Sequence, residues 1–344
     1  MSTPHEAMLW ESLDGQKVRC HLCGHECVIS AGKYGLCRVR ENVAGQLKTL
    51  TYDAVVSMNV DPIEKKPLFH FLPGTRSLSI ATPGCNFQCE FCQNWQISQS
   101  PHDGGGIAGQ AVSPAQLITA AKQYDCASIS YTYTEPTIFF ELAYDTSKLA
   151  HENGLMNCFV SNGFLTPLAV ERIAPYLDAI NVDLKAFRDE TYQRVMKARL
   201  GPVLTCLQAL VAAGIWVEVT TLVVPGMNDG EGELTDIARF IADELGPAVP
   251  WHVSRFHGDY RMTATQTTPL ATLELACRVG KQAGLKYVYC GNVPGQADES
   301  TRCPACGEIV IEREGFSTRA ISLVDGACVH CGQEIEGLWQ GLAR

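Results

Sequence analysis

Leu78-Ser79-Ile80-Ala81-Thr82, followed closely by Cys85-Asn86-Phe87-Gln88-Cys89-Glu90-Phe91-Cys92, is a short apolar run that ends in three cysteines spaced CxxxCxxC. Three thiolates on one tight loop can hold three corners of a cubane iron–sulfur cluster, whereas an ordinary cluster carrier supplies four. The fourth iron is then open to a small molecule that binds through a nitrogen and an oxygen. On the loop alone, a zinc knuckle that uses three cysteines is the competing reading.

Beyond this loop the chain alternates strand-like apolar runs with helical periods. The strand-like runs are residues 127–131, 155–161, 179–184, 215–224 and 250–256, with a further one at 286–289. Ser113-Pro114 and Thr166-Pro167 are each an N-cap followed by a first-turn proline, and residues 202–213 are apolar at helical spacing. Strand, helix, strand at this regularity predicts a parallel sheet with right-handed crossovers. Six such units predict an α/β fold, an incomplete (β/α)6 barrel whose chemistry sits at the C-terminal ends of its strands. Those ends carry Glu135, Asn162, the pair Asp183 and Lys185, and His257. Asp183 and Lys185 are two apart and share one side of a strand, where they can hold a zwitterion or form a salt bridge. Glu135 can pair with an ammonium or cap the helix that follows it.

Two further cysteine sets flank this core. Cys20, Cys23, Cys27 and Cys37 are interrupted by Gly24, Gly32 and Gly35, so they lie on turns, and their spacing suits either zinc or an auxiliary iron–sulfur cluster. Cys303-Pro304-Ala305-Cys306-Gly307 and Cys328-Val329-His330-Cys331-Gly332 are two knuckles separated by 21 residues, which predicts a zinc-ribbon module with rubredoxin-like iron as the minor alternative. The expected domains are a Cys-rich segment over 1–75, the core over 76–297 and the ribbon over 298–344. Between the first two, Asp61-Pro62-Ile63-Glu64-Lys65-Lys66-Pro67-Leu68-Phe69-His70 carries too much proline for a helix and reads as an extended segment lying against something. Lys65, Lys66 and His70 within it read as a solvated loop, with substrate binding as the second choice.

At 344 residues, 46% hydrophobic and 19% charged, the composition is that of an ordinary globular chain. No stretch approaches the roughly 20 apolar residues of a membrane span, and Met1 to Trp10 lacks the halves of a signal peptide, so a cytoplasmic location with metal-bound thiols is the expectation. Of the 16 cysteines, Cys126, Cys158, Cys206, Cys277 and Cys290 stand outside the three sets and read as core thiols. A net charge of −10 gives no support to general nucleic-acid binding.

With the cysteine loop, Thr134-Glu135-Pro136, Ser161-Asn162-Gly163, Asp183-Leu184-Lys185, Val224-Pro225-Gly226, Arg255-Phe256-His257 and Gly291-Asn292-Val293-Pro294-Gly295 in this order, the chain resembles the radical S-adenosylmethionine enzymes. It is most similar to the AmmeMemoRadiSam group and the pyruvate formate-lyase activases. The resemblance implies a [4Fe-4S] cluster on Cys85, Cys89 and Cys92 that cleaves S-adenosylmethionine to methionine and a 5′-deoxyadenosyl radical, which abstracts hydrogen from a substrate. It implies cofactor contacts from Phe91 to the adenine, and from Glu135, Asn162, Asp183, Lys185 and His257. Thr220 stands where the activases carry an arginine. An electron donor of flavodoxin or ferredoxin type and partners of AMMECR and Memo types are further implications. The substrate is either a glycine of a partner protein, or a small molecule, peptide or RNA; the second fits better with an auxiliary cluster on the N-terminal cysteines. A non-catalytic zinc-binding module is the distant alternative.

Overall fold

The computed structural model describes residues 5–291 and 299–339. Its centre is one eight-stranded sheet: β1 (Ser57–Pro62), β2 (Arg76–Ala81), β3 (Ser128–Tyr131), β4 (Met156–Ser161), β5 (Ala179–Asp183), β6 (Trp216–Val223), β7 (Trp251–Arg255) and β8 (Val288–Gly291). They pair in sequence order, all parallel from β2 to β8, with β1 antiparallel along β2. Six helices fill the crossovers: α1 (Pro114–Gln123), α2 (Phe140–Glu152), α3 (Pro167–Ile173), α4 (Leu200–Ala212), α5 (Glu231–Arg239) and α6 (Leu270–Gln282). The predicted strand limits are met within about two residues, and the Ser113 and Thr166 caps form as read, Ser113 in a reciprocal box with Gln116.

The period-two pattern decides which face each side chain takes. Leu78, Ile80 and Ile129 join Leu117 and Ile118 in the core beneath the helices. The alternate residues Ser77, Ser128 and Ser130 face the other way and hydrogen-bond across strands, Ser77 Oγ to Ser130 Oγ at 2.5 Å and Ser130 Oγ to Cys158 Sγ at 2.9 Å. The concave face is therefore small and polar next to β2, β3 and β4.

Residues 63–74 close the far end of this face. Ile63, Leu68, Phe71 and Leu72 pack on Cys158 and Ala179. Glu218 on β6 is fully buried and accepts from Phe69 N, His70 N, Trp216 Nε1 and His252 Nε2. The extended segment thus lies against the sheet as expected, but the solvated-loop reading is overturned. Lys66 is 2% exposed and held by Asp61 at 2.6 Å, and His70 is fully buried. Only Lys65 of the three reaches solvent. Asp61 is held well below the usual carboxylate range: hydrogen bonds from Lys65, Lys66 and Tyr133 outweigh the burial that opposes them.

The C-terminal segment packs on the same end. Arg313 donates to Phe69 O at 2.6 Å, Glu336 accepts from Tyr287 OH at 2.7 Å, and Leu338 N reaches His70 O at 2.8 Å. Residues 57–62 enter the sheet, so the expected boundary at residue 75 falls inside a hairpin. Cys126, Cys158 and Cys206 are buried thiols as read, but Cys277 and Cys290 are corrected: α6 lies along β8, and the two are joined as a disulfide. Among the described residues no single helix is long and apolar enough to cross a membrane, although the bent pair Asp189–Met196 and α4 passes by length and composition.

Burial pushes His70 down to about 4 from 6.5. Its Nδ1 meets Glu336 O at 2.6 Å and its Nε2 meets Tyr289 OH at 2.7 Å, which fixes a neutral ring that donates from Nδ1 and accepts at Nε2. As the pH falls from 6.5 towards 4, the unfolded chain takes up a proton that the folded chain refuses, and stability drops across that window. Urea unfolding followed with pH should show this fall, with a shallower slope in a His70→Gln variant; equal slopes would contradict it.

Candidate radical and metal sites

The three-cysteine loop follows the C-terminal end of β2 and is held from both sides. Gly84 N donates to Ile97 O, Gln88 N to Met196 O and Arg261 N to Glu90 O, at 2.9 to 3.0 Å. With its backbone engaged, the loop presents its sulfurs to polar groups. Cys85 Sγ receives Phe87 N at 3.3 Å and Asn162 Nδ2 at 3.8 Å, and Cys92 Sγ lies 3.2 Å from Ser98 Oγ. Burial pushes the Cys89 thiol up to about 12, against the pull of the Lys185 ammonium. A metal that binds here displaces that proton.

The strand ends converge on this loop. Asn162 Nδ2 also donates to Asn86 Oδ1 at 2.7 Å. Gly163 turns the chain after Asn162 at φ 69°, where a Cβ would lie 2.6 Å from Val182 Cγ1, so only glycine fits. Lys185 Nζ pairs with Asp183 Oδ2 at 2.7 Å and stands 6.0 Å from the centre of the Phe91 ring. Burial pulls the Lys185 ammonium down, but Asp183 outweighs it and holds it above its ordinary value. The two residues therefore share one side, as read, and form the salt bridge. His257 is exposed at the rim and meets Gln93 Nε2, beside Cys92, at 3.4 Å.

Glu135 is set one step back. It is 1% exposed and accepts from Thr137 N at 3.1 Å, Thr137 Oγ1 at 2.5 Å, Ser161 Oγ at 2.8 Å and Asn162 N at 2.8 Å. It caps the turn that leads into α2 and locks the end of β3 to the end of β4. Phe91 is buried in the core cluster beside Cys89. Thr220, where the activases carry an arginine, is buried with no partner for its hydroxyl. Of the Gly291–Gly295 stretch, residues 292–295 lie outside the described residues.

Three contributors escape a reading of the sequence. Asn228 accepts Val224 N at 2.7 Å and donates to Lys185 O at 2.8 Å, fixing the Val-Pro-Gly turn against the Asp183–Lys185 strand end. Tyr192 accepts Lys185 N at 3.1 Å. His102 Nε2 meets Cys85 O at 3.3 Å. Asn228 alone left a signal, lying two residues beyond the Val224-Pro225-Gly226 turn.

The two flanking cysteine sets differ in geometry. The four sulfurs of Cys303, Cys306, Cys328 and Cys331 lie within 4.8 Å of one another, with Cys303 Sγ 3.5 Å from Cys331 Sγ. Four sulfurs about 2.3 Å from one ion stand about 4 Å apart, so this set has single-ion spacing. Matching turns bring the thiols together: Gly307 N donates to Cys303 O at 2.9 Å and Gly332 N to Cys328 O at 2.8 Å. Among the described residues no other group of three or more His, Cys, Asp or Glu ligand atoms is this tight, so neither the three-cysteine loop nor the N-terminal set has single-ion spacing. Cys20, Cys23, Cys27 and Cys37 instead line one small cavity.

Residues 79–241 match the model of the Radical SAM superfamily. The uncharacterized protein MJ0808 of Methanocaldococcus jannaschii is 46% identical over 333 residues, 96% of this chain and 98% of that one. The FeMo cofactor biosynthesis protein NifB of Azotobacter vinelandii is 24% identical over 57% of this chain and 44% of its own length. The benzylsuccinate synthase activating enzyme of Thauera aromatica is 22% identical over 60% of this chain and 67% of its own. A mostly parallel sheet in sequence order, the three-cysteine loop after its first parallel strand and these likenesses together identify the chain as a member of the Radical SAM superfamily of enzymes.

Proposed function

We propose that this chain holds a [4Fe-4S] cluster on Cys85, Cys89 and Cys92 and abstracts hydrogen from a substrate bound over the concave face of the sheet. The observation that carries this reading is a loop of exactly three thiols, without single-ion spacing, surrounded by Asn162, Lys185 and the Phe91 ring. When bound and reduced, the cluster supplies the electron that cleaves S-adenosylmethionine to methionine and a 5′-deoxyadenosyl radical.

The chain's own residues bind and orient. Asp183 and Lys185 offer a carboxylate and an ammonium to the zwitterionic methionine end, and Asn228 and Tyr192 hold that strand end in place. Asn162 donates to Cys85 and Asn86, with Glu135 fixing its backbone, and its Oδ1, which accepts from Phe164 N, has a second lone pair to offer the cofactor's hydroxyls. Phe91 offers an apolar wall to the adenine, and His257 a rim contact. The C-terminal tetrad takes zinc and stabilises a small module with little core of its own.

The order of the strand-end motifs is similar to that of the activases, and this likeness would make a partner's glycine the substrate. A second reading, modification of a small molecule, peptide or RNA, is favoured by the N-terminal cysteines lining one cavity, because glycine activation asks for no second redox centre. Partners of AMMECR and Memo types, a flavodoxin- or ferredoxin-like donor, a cytoplasmic location and the AmmeMemoRadiSam assignment belong to this proposal.

Two outcomes test it. Under reducing, anaerobic conditions the native chain should convert S-adenosylmethionine to methionine and 5′-deoxyadenosine, and Cys89→Ala should abolish this while its zinc content stays unchanged; cleavage that persists in the variant contradicts the proposal. Lys185→Met should weaken S-adenosylmethionine binding at least about tenfold, roughly 1.4 kcal/mol, in equilibrium dialysis of reconstituted protein, with unchanged iron content. An unchanged affinity would reduce the Asp183–Lys185 pair to a strut.

A further inference from the structure

The N-terminal tetrad makes none of the cofactor contacts described above, yet it is built against the three-cysteine loop. Cys20, Cys23, Cys27 and Cys37 line one cavity whose other walls include Leu22, Ile29 and Ile138. Two donors point at its sulfurs: Arg40 Nη1 reaches Cys20 Sγ at 3.4 Å and Leu36 N reaches Cys27 Sγ at 3.5 Å. Arg40 is itself buried, donating to Met8 O at 2.9 Å and pairing with Glu141, so its position is fixed independently of the thiols. N–H groups aimed at sulfur, the buried Arg40 guanidinium above all, stabilise thiolate charge and tune a cluster's potential.

The spacing separates the two candidate metals. One zinc draws four sulfurs onto a single point, as the C-terminal tetrad shows by lying within 4.8 Å throughout, whereas the N-terminal sulfurs are arranged around a void and do not meet that spacing. A cluster binds each cysteine at its own iron and keeps the sulfurs farther apart. The radical loop, which also lacks single-ion spacing, has the same character.

The tetrad also abuts the radical loop. His25 Nε2, between Cys23 and Cys27 in sequence, lies 2.8 Å from Asn86 O, next to Cys85. Gly24 N donates to Phe164 O at 2.9 Å, and a Cβ at Gly24 would stand 2.7 Å from Pro202, so the loop is pressed against the strand end that carries Asn162. Thr137, which donates to Glu135, lines the tetrad's cavity as well.

We propose that Cys20, Cys23, Cys27 and Cys37 hold a second iron–sulfur cluster, separated from the radical loop by the single layer of residues around His25 and Asn86. This assignment does not depend on the radical reading, and its test removes that site. A Cys85→Ala/Cys89→Ala/Cys92→Ala variant, reconstituted anaerobically with iron and sulfide, should retain about two to four irons with matching acid-labile sulfide. It should give a paramagnetic signal after dithionite, and both should vanish when Cys20→Ser and Cys37→Ser are added. Zinc in place of iron at this site, or no metal beyond the zinc of the C-terminal tetrad, overturns the proposal. The native chain gives an independent count: more than about four irons supports a second cluster, and about four irons that all disappear in the triple variant excludes it. Failure of the radical reading looks different, with the native chain and the triple variant holding equal iron.

Discussion

The Glu135 carboxylate is the joint on which the upper end of this structure depends. It is buried and takes four donors, two from Thr137 and one each from Ser161 and Asn162. That saturation makes a buried charge tolerable: burial raises its affinity for a proton, and the hydrogen bonds oppose the rise. Because the backbone of Asn162 is held there, its amide is committed to Asn86 and Cys85, and the cysteine loop acquires a fixed wall. Removing the carboxylate would orphan several buried donors at once, each at a cost of about 1–3 kcal/mol. The side chain thus acts on the site through Asn162, whatever else it contacts.

A second buried carboxylate organises the opposite end. Glu218 gathers Phe69, His70, Trp216 and His252 from three segments and closes the sheet from below. Arg313 and Leu338 of the C-terminal segment then fasten onto residues 69 and 70. Between the two ends the concave face carries hydroxyls and a thiol, Ser77, Ser128, Ser130 and Cys158, bonded mostly to one another. The C-terminal segment, with its tight cysteine tetrad, therefore buttresses the fold at the end remote from the radical loop.

Much of this was legible in the sequence, and the reasons are local. Alternation such as Ser77-Leu78-Ser79-Ile80 declares a strand with two unlike faces, and Ser113-Pro114 or Thr166-Pro167 declares a helix start, because both effects act within a few residues. Asp183 and Lys185 could be placed together from a spacing of two. The failures are non-local. Glu218 reads as one acid in an apolar strand until a segment 148 residues earlier supplies its donors. Lys66 and His70 look solvated for the same reason, since Lys66 is enclosed by Asp61 and the Tyr133 ring, and His70 by β6, β8 and the C-terminal segment. Cys277 and Cys290 look like separate core thiols until α6 is laid along β8. Spacing could not choose between zinc and iron at Cys20 to Cys37; that choice rests on how far apart the folded chain holds the sulfurs.

The central claim is that three cysteines leave an iron open to S-adenosylmethionine. The most direct measurement is the electron paramagnetic resonance spectrum of the reduced protein carrying Cys20→Ser and Cys37→Ser, recorded with and without S-adenosylmethionine. A cluster signal whose g-values shift when the cofactor is added, and which is absent once Cys85, Cys89 and Cys92 are also replaced by alanine, is the predicted result. A signal that S-adenosylmethionine leaves unchanged would contradict the account.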